Sequence, residues 1–258
     1  MSVIPPPLQE SIQTEIIVLS LTTVFFEITL PRNRNLMRLF RDYILLLAWC
    51  GQYTRGDHNG STISLEAVTS QDSWIWHAYF GVFGSNNDIN VFNQSPLFNP
   101  FEDGTTPLVP FTVNGTEYKY PYFLVDGIYP RYAMFVKTIS HPTGEKRIRY
   151  AKAQEAARKD VERLFGIIKK KWKILREPAR QMEEISIRKI MYACCILHNM
   201  ILKDEDHTIS LDYIPDPPVV PQPSDDRLAE IYDPSVHDDL WMDLIDHIHR
   251  IFTPGIDR

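Results

Sequence analysis

Asp126 closes a short apolar run, Tyr122–Val125, and is followed at once by Gly127. Such a run is expected to form a strand, and an acid at its carboxyl end is held by a rigid element. Glu162 comes after 35 intervening residues, inside a segment with helical spacing. On a helix of 100° steps, Ala157, Val161, Leu164, Phe165, Ile168, Trp172 and Leu175 share one apolar stripe. Glu162 falls about 110° from the centre of that stripe, at its border. Arg158, Lys169 and Arg176 lie on the same side. Carboxylates on rigid elements suit hard divalent cations such as Mg²⁺ or Mn²⁺. Two such ions held roughly 3.5–4 Å apart clamp the attacking and leaving oxygens at a phosphate. Asp126 and Glu162 are the candidate catalytic and metal-binding pair. Arg158, Lys169, Lys170, Lys171, Lys173 and Arg176 are candidate contacts to a nucleic-acid backbone. The plainer reading is a turn-capping Asp and a Glu paired with Arg158 at i, i+4. With 33 acidic residues in the chain, spacing alone does not choose between them.

The elements that must position these residues are legible in outline. Residues 14–30 are β-prone and predict one or two strands. Residues 35–49 have helical spacing. Ser61–Val68 and Ser73–Phe80 predict adjacent strands joined as a hairpin. Ser85 is expected to cap a short helix through Asp88 to about residue 95. Asn114-Gly115, flanked by Phe111–Val113 and Glu117–Tyr118, is a hairpin signal. Ala133–Ile139 is extended. A long helix is expected over about 144–175, ended by Pro178, and a second over 183–202. After Lys203 the chain is rich in Pro and Asp, with a short amphipathic piece at 240–252. The organisation is 1–50, an atypical N-terminal segment; 51–203, the main domain; and 204–258, an acidic Pro-rich tail with a short terminal helix. Strands first and long helices after them predict a mixed sheet flanked by helices.

The net charge of −6 is unevenly distributed. Residues 131–203 hold 18 Lys/Arg against 7 Asp/Glu, whereas residues 204–258 hold 3 against 14. A basic segment of this kind points to a polyanion partner, with the tail as a competitor for the same surface. The Lys169–Lys173 cluster fits phosphate contact or nuclear import, and equally a solvated last turn of a helix. Three cysteines without a CxxC pair argue against a zinc site or disulfide framework and for a reducing compartment. Residues 16–26 are too short an apolar stretch for a membrane span, and no membrane association is expected. His198 sits in an apolar helical run and is expected to be packed and hydrogen-bonded rather than catalytic. Trp74, Trp76 and Trp172 are expected in the core rather than stacked on bases.

The runs GQYTRGDH (51–58), GSNNDINV (84–91), VDGIYP (125–130), QEAARKDVERLFG (154–166) and LHNMI (197–201) are collinear with plant harbinger-type transposase-derived proteins and closely resemble them. The resemblance covers nearly all of 51–203. It implies a DDE-superfamily nuclease with a ribonuclease-H-like core, metal-dependent phosphodiester hydrolysis or strand transfer, DNA as partner beside a separate DNA-binding protein, and a nuclear location, with the cytoplasm as alternative. Asp126 matches the second catalytic carboxylate of that family and Glu162 the third. Asp88, in GSNNDINV, is a further candidate ligand, although an acid in a first helical turn is favoured there anyway. The family's first catalytic Asp lies on a strand upstream of the GQYTRGDH run, and no such segment precedes Gly51 here. The first strand of the core is therefore expected to be incomplete or altered. Three readings follow: a DNA- and metal-binding protein that cuts weakly or not at all; an active nuclease in which Asp42 or Glu27 substitutes for the missing acid; and a nuclear or chromatin interaction protein without catalysis.

Overall fold

The computed structural model of the chain describes residues 19–28, 53, 61–105, 110–177, 184–205 and 225–251. The helix expected over 35–49, and Asp42 with it, lies outside the described residues.

A five-stranded mixed sheet forms the centre, in the order β3-β2-β1-β6-β7. β1 (Leu19–Ile28) is the middle strand. It runs antiparallel to β2 (Ser61–Thr69), which runs antiparallel to β3 (Ile75–Phe83). On its other side β1 pairs in parallel with β6 (Phe123–Val125), and β6 with β7 (Phe135–Lys137). Parallel neighbours need long connections, and the chain between β1 and β6 supplies one. The β2 strand is buried on both faces, as a strand covered by helices on either side should be. β4 (Phe111–Val113) and β5 (Thr116–Tyr118) form a separate hairpin. Its turn residues Asn114 and Gly115 have φ of 54° and 92°, the left-handed pair that a tight hairpin requires.

Helices cover both faces. The short α1 (Asp88–Phe92) and α2 (Asn99–Glu102) lie on one side, where Phe92, Phe98 and Phe101 cluster with Leu21, Val68, Phe123 and Val125. The cap of α1 is Asn87, whose side chain accepts from the Asn90 N–H, rather than Ser85. On the other side, α3 (Glu145–Lys171) packs Val161, Leu164, Phe165 and Ile168 against Phe26, Ile63, Leu65 and Ala67. A 3-10 turn, Lys173–Leu175, extends it, and α4 (Glu184–Asp204) adds Met191 and Cys195 to the same cluster. By length and composition Ile185–Asp204 is apolar enough to cross a membrane; Met191, Cys194, Cys195 and His198 on it are buried, whereas Ile185, Ile196, Leu197 and Met200 are exposed.

The acidic C-terminal region contributes α5 (Asp225–Ile231) and α6 (Pro234–Ile251). The latter is longer than the amphipathic piece seen in sequence. Ile231 is fully buried in the α1–α2 cluster, and Leu240, Leu244 and Ile245 pack with Leu124, Val136 and Tyr150. A mixed five-stranded sheet flanked by helices in this order is the ribonuclease-H-like arrangement.

Candidate active site

The central strand decides what the site contains. Leu19 is level with Phe123 and Ser20 with Leu124. The pairing ends there; the same parallel register continued by two residues would bring Thr22 level with Asp126. Ser20 donates to the Ala157 carbonyl at 3.3 Å, so its face of β1 is turned to α3. Alternation puts Thr22 on that face too. The first strand of the core, expected to be incomplete or altered, is present as β1, with Thr22 two residues past its paired rung at Ser20. Glu27 is paired with Thr62, five residues beyond Thr22 along β1, or roughly 16 Å. That backbone position is too remote for Glu27 to stand in for the first acid.

Asp126 follows β6 directly, and its Oδ1 accepts from the N–H of Gly127 at 2.6 Å. Lys137, level with Val125 on β7, is its cationic neighbour. Burial holds the Lys137 ammonium below its usual pKa, Arg131 adds to that, and Asp126 opposes it. Gln154 of α3 donates to the carbonyls of both Val125 and Val136 at 3.1 Å, which ties the helix to the ends of β6 and β7. Glu162 lies two turns beyond Gln154, about 12 Å along the helix axis. It is half exposed and paired with Arg158 at 3.5 Å. The guanidinium of Arg158 is thus engaged with the would-be metal ligand, the plainer of the two sequence readings. Asp88 is on the opposite face of the sheet, in the first turn of α1. Asp88 and Asp126 both act on the hydroxyl of Tyr129. Among the described residues no group of three or more His, Cys, Asp or Glu side chains is placed to hold a metal ion. The described residues by themselves do not make up the ligand set of a two-metal clamp.

The predicted phosphate contacts divide. Lys169 Nζ lies 4.8 Å from the centre of the Phe26 ring, and Lys171 Nζ is 3.4 Å from His198 Nδ1. Lys170, Lys173 and Arg176 are exposed. Sequence reasoning missed Lys152, Lys159 and Arg163, which share the outward side of α3 with Lys170 at helical spacing. Only the 3.6 period on the polar side of α3 could have shown them. Among the described residues, three acids of the C-terminal region pair with cations other than these: Asp238 with Arg131, Asp246 with Lys146 at 2.9 Å, and Glu230 with Lys119 at 2.8 Å.

His198 is packed as expected. Its Nε2 lies 2.9 Å from the Ser73 carbonyl, and Asn199 bonds both the N–H and the carbonyl of Ile75. Together they fasten the β2–β3 turn, where Ser73 has φ 66°, to α4. Burial holds the His198 pKa below its usual value. Trp172 packs against the α3 cluster and Trp76 against the α1–α2 cluster.

The family described as plant transposon protein matches residues 40–209, two thirds of the chain. The chain belongs to that family. Among curated relatives, "Protein ALP1-like" of Arabidopsis thaliana is 27% identical over 158 residues. The aligned part makes up 60% of this chain and 38% of that relative. No solved structure matches. The plant transposon match begins after β1, so the strand carrying Thr22 lies outside the segment by which the family is recognised.

Proposed function

We propose that this transposase-derived chain binds DNA along the outward face of α3 and cuts it weakly or not at all. The observation that supports the second half is the register of β1 with β6, which, continued two residues past its last paired rung, brings Thr22 rather than an acid level with Asp126. A two-metal site that lacks a bridging carboxylate loses charge and geometry together. Asp126 and Glu162 are what is left of the ligand set, and one of them is engaged with Arg158.

Support for DNA binding comes from the stripe Lys152, Lys159, Arg163 and Lys170, all on α3. The intervals of seven, four and seven residues return to the same side of a helix within about 20°. The stripe spans about 27 Å along the axis. Ala156 and Gly166, both exposed, flank it, so a backbone can approach closely. Cations in a row without bulky neighbours suit a line of phosphates. No base-reading element is apparent in sequence, so binding is expected to be of low sequence selectivity, with a separate protein supplying the address.

The test is a pair of measurements on the full chain. Duplex binding is followed by fluorescence anisotropy against salt, and plasmid nicking is followed with Mg²⁺ and Mn²⁺. Salt-sensitive binding with little or no nicking is expected. Robust cleavage abolished by Asp126→Ala overturns the inactive reading, and absence of salt-dependent binding overturns the DNA reading.

A further inference from the structure

β7 is the last strand of the sheet, so its outer edge has no strand beside it. Backbone groups on such an edge must be covered or paired. The C-terminal helices cover them. The Ala133 N–H, just before β7, donates to the Ile231 carbonyl at 2.9 Å. His237 Nδ1 lies 3.2 Å from the Tyr132 carbonyl. Trp241 Nε1 donates to the Lys137 carbonyl at 3.2 Å, beside the Tyr150 hydroxyl at 2.8 Å. Groups of α5 and α6 thus stand where a sixth strand would pair.

Alongside that edge α6 lies in a groove. Tyr122, Leu124, Val136 and Tyr150 line it, and Leu240, Leu244 and Ile245 fill it. Steps of three to five residues bring these three to one side of a helix. The rim is charged, with the cations on the groove and the acids on the helices. Arg131 pairs with Asp238, Lys146 with Asp246 and Lys119 with Glu230. An apolar helix face laid into a groove is a recurring way to hold a partner, and opposite charges at the rim select its sign.

The rest of the chain treats α5–α6 as a ligand rather than as a layer of the core. α6 packs chiefly on α3, β7 and β4, whereas the preceding helix, α4, lies along β3 at the far edge. The connection between them, residues 206–224, contains five prolines, the composition of a linker. The family match ends at residue 209, before α5 begins.

We propose that this groove is a docking site for an acidic amphipathic helix, and that α5–α6 is its built-in competitor, a strap that fills the groove in cis and opens as a unit. A partner helix takes the strap's place by repeating its pattern, with large apolar residues four apart and acids for Arg131 and Lys146. The groove is separate from the outward stripe of α3 and does not rest on the DNA reading.

The probe is a fluorescent synthetic peptide of residues 225–251, titrated by anisotropy against the full chain as wild type and as Leu244→Asp, which weakens the strap. The variant is expected to bind the peptide about tenfold more tightly than the wild type does, because local opening no longer competes with a well-seated strap. A peptide carrying Asp238→Asn and Asp246→Asn is expected to bind several-fold more weakly. No binding by a variant that still unfolds cooperatively overturns the proposal. Equal binding of the two peptides overturns the acidic class of partner. Should Leu244→Asp fail to fold, hydrogen exchange on the wild-type chain decides. Amides of residues 237–249 are expected to exchange together, about tenfold faster than those of residues 161–168 in α3. Equal protection of the two helices shows that the strap opens only with the whole fold, and overturns the proposal.

Discussion

The Tyr118 hydroxyl donates to Asp243 Oδ2 at 2.7 Å and so joins the β4–β5 hairpin to α6. Asn114, in the hairpin turn, donates to the Asp243 carbonyl at 2.7 Å. Burial pushes the Asp243 carboxyl up, but hydrogen bonds from Tyr118, Thr116 and Asn114, helped by Arg250, leave it below its usual value. Asp243→Ala removes the acceptor and strands the Tyr118 hydroxyl. A loss of about 1–3 kcal/mol is expected, read as a lower urea midpoint with unchanged slope. Because the folded-state pKa is depressed, this contribution is present above the usual carboxylate value and fades as pH falls through it. An unchanged midpoint at pH 7 would show that the Asp243 contacts contribute nothing to holding α6.

Histidines make a second acid-sensitive contribution. His198 and His237 are both held below the ordinary value of 6.5, in each case chiefly by burial. The unfolded chain therefore binds their protons more readily than the folded one. Stability from these sites is complete above 6.5 and declines as pH drops through that value towards the lower folded-state pKa. Unfolding midpoints at pH 7.5 and 5.5 test this. The difference should shrink in a His198→Asn, His237→Asn double variant, and an undiminished difference would assign the acid sensitivity to other groups.

Removing positive charge from the outward stripe of α3 is expected to weaken DNA binding uniformly across sequences. Alanine at Lys152, Lys159, Arg163 or Lys170 takes away one ion pair with a phosphate. Each such change should lower the slope of log affinity against log salt by about 0.9. Lys169→Ala and Lys171→Ala should change the slope little, since those side chains turn to Phe26 and His198. Equal effects from the two sets would remove the distinction between the faces.

Thr22→Asp tests the assignment of the central strand. With the register continued, it places a carboxylate level with Asp126 on the α3 face. Tighter Mn²⁺ binding by titration calorimetry is expected, and disappearance of the gain when Asp126→Asn is added. If Mn²⁺ binding is unaltered while the variant still folds, Thr22 does not face the site.

Local signals carry much of the fold. The β2–β3 and β4–β5 hairpins, the apolar stripe of α3 and the packing of His198 all follow from spacing and turn chemistry within a few residues. The cap of α1 falls two residues beyond Ser85, because Ser85, Asn86 and Asn87 are all competent caps and only the chain's path selects one. Residues 14–30 are recognisable as strand, but not as the middle of the sheet. Strand order depends on pairing with β2 and β6, the latter about a hundred residues away, and neither is written in β1 itself. The same limit hides Thr22: its position becomes meaningful only beside Asp126. The α6 helix leaves a trace, the amphipathic piece at 240–252, but the groove that receives it is assembled from distant parts of the chain.

A ladder of backbone hydrogen bonds does not read side chains, so many extended segments can occupy the slot between β2 and β6. Catalysis is less forgiving, since it asks for one particular side chain at one rung. An exchange of that single strand can thus preserve the architecture while silencing the chemistry. In the other direction, a trimmed form starting at the family boundary would lose the middle of its sheet and expose two unpaired edges. Such a fragment should self-associate rather than behave as a smaller version of the same protein.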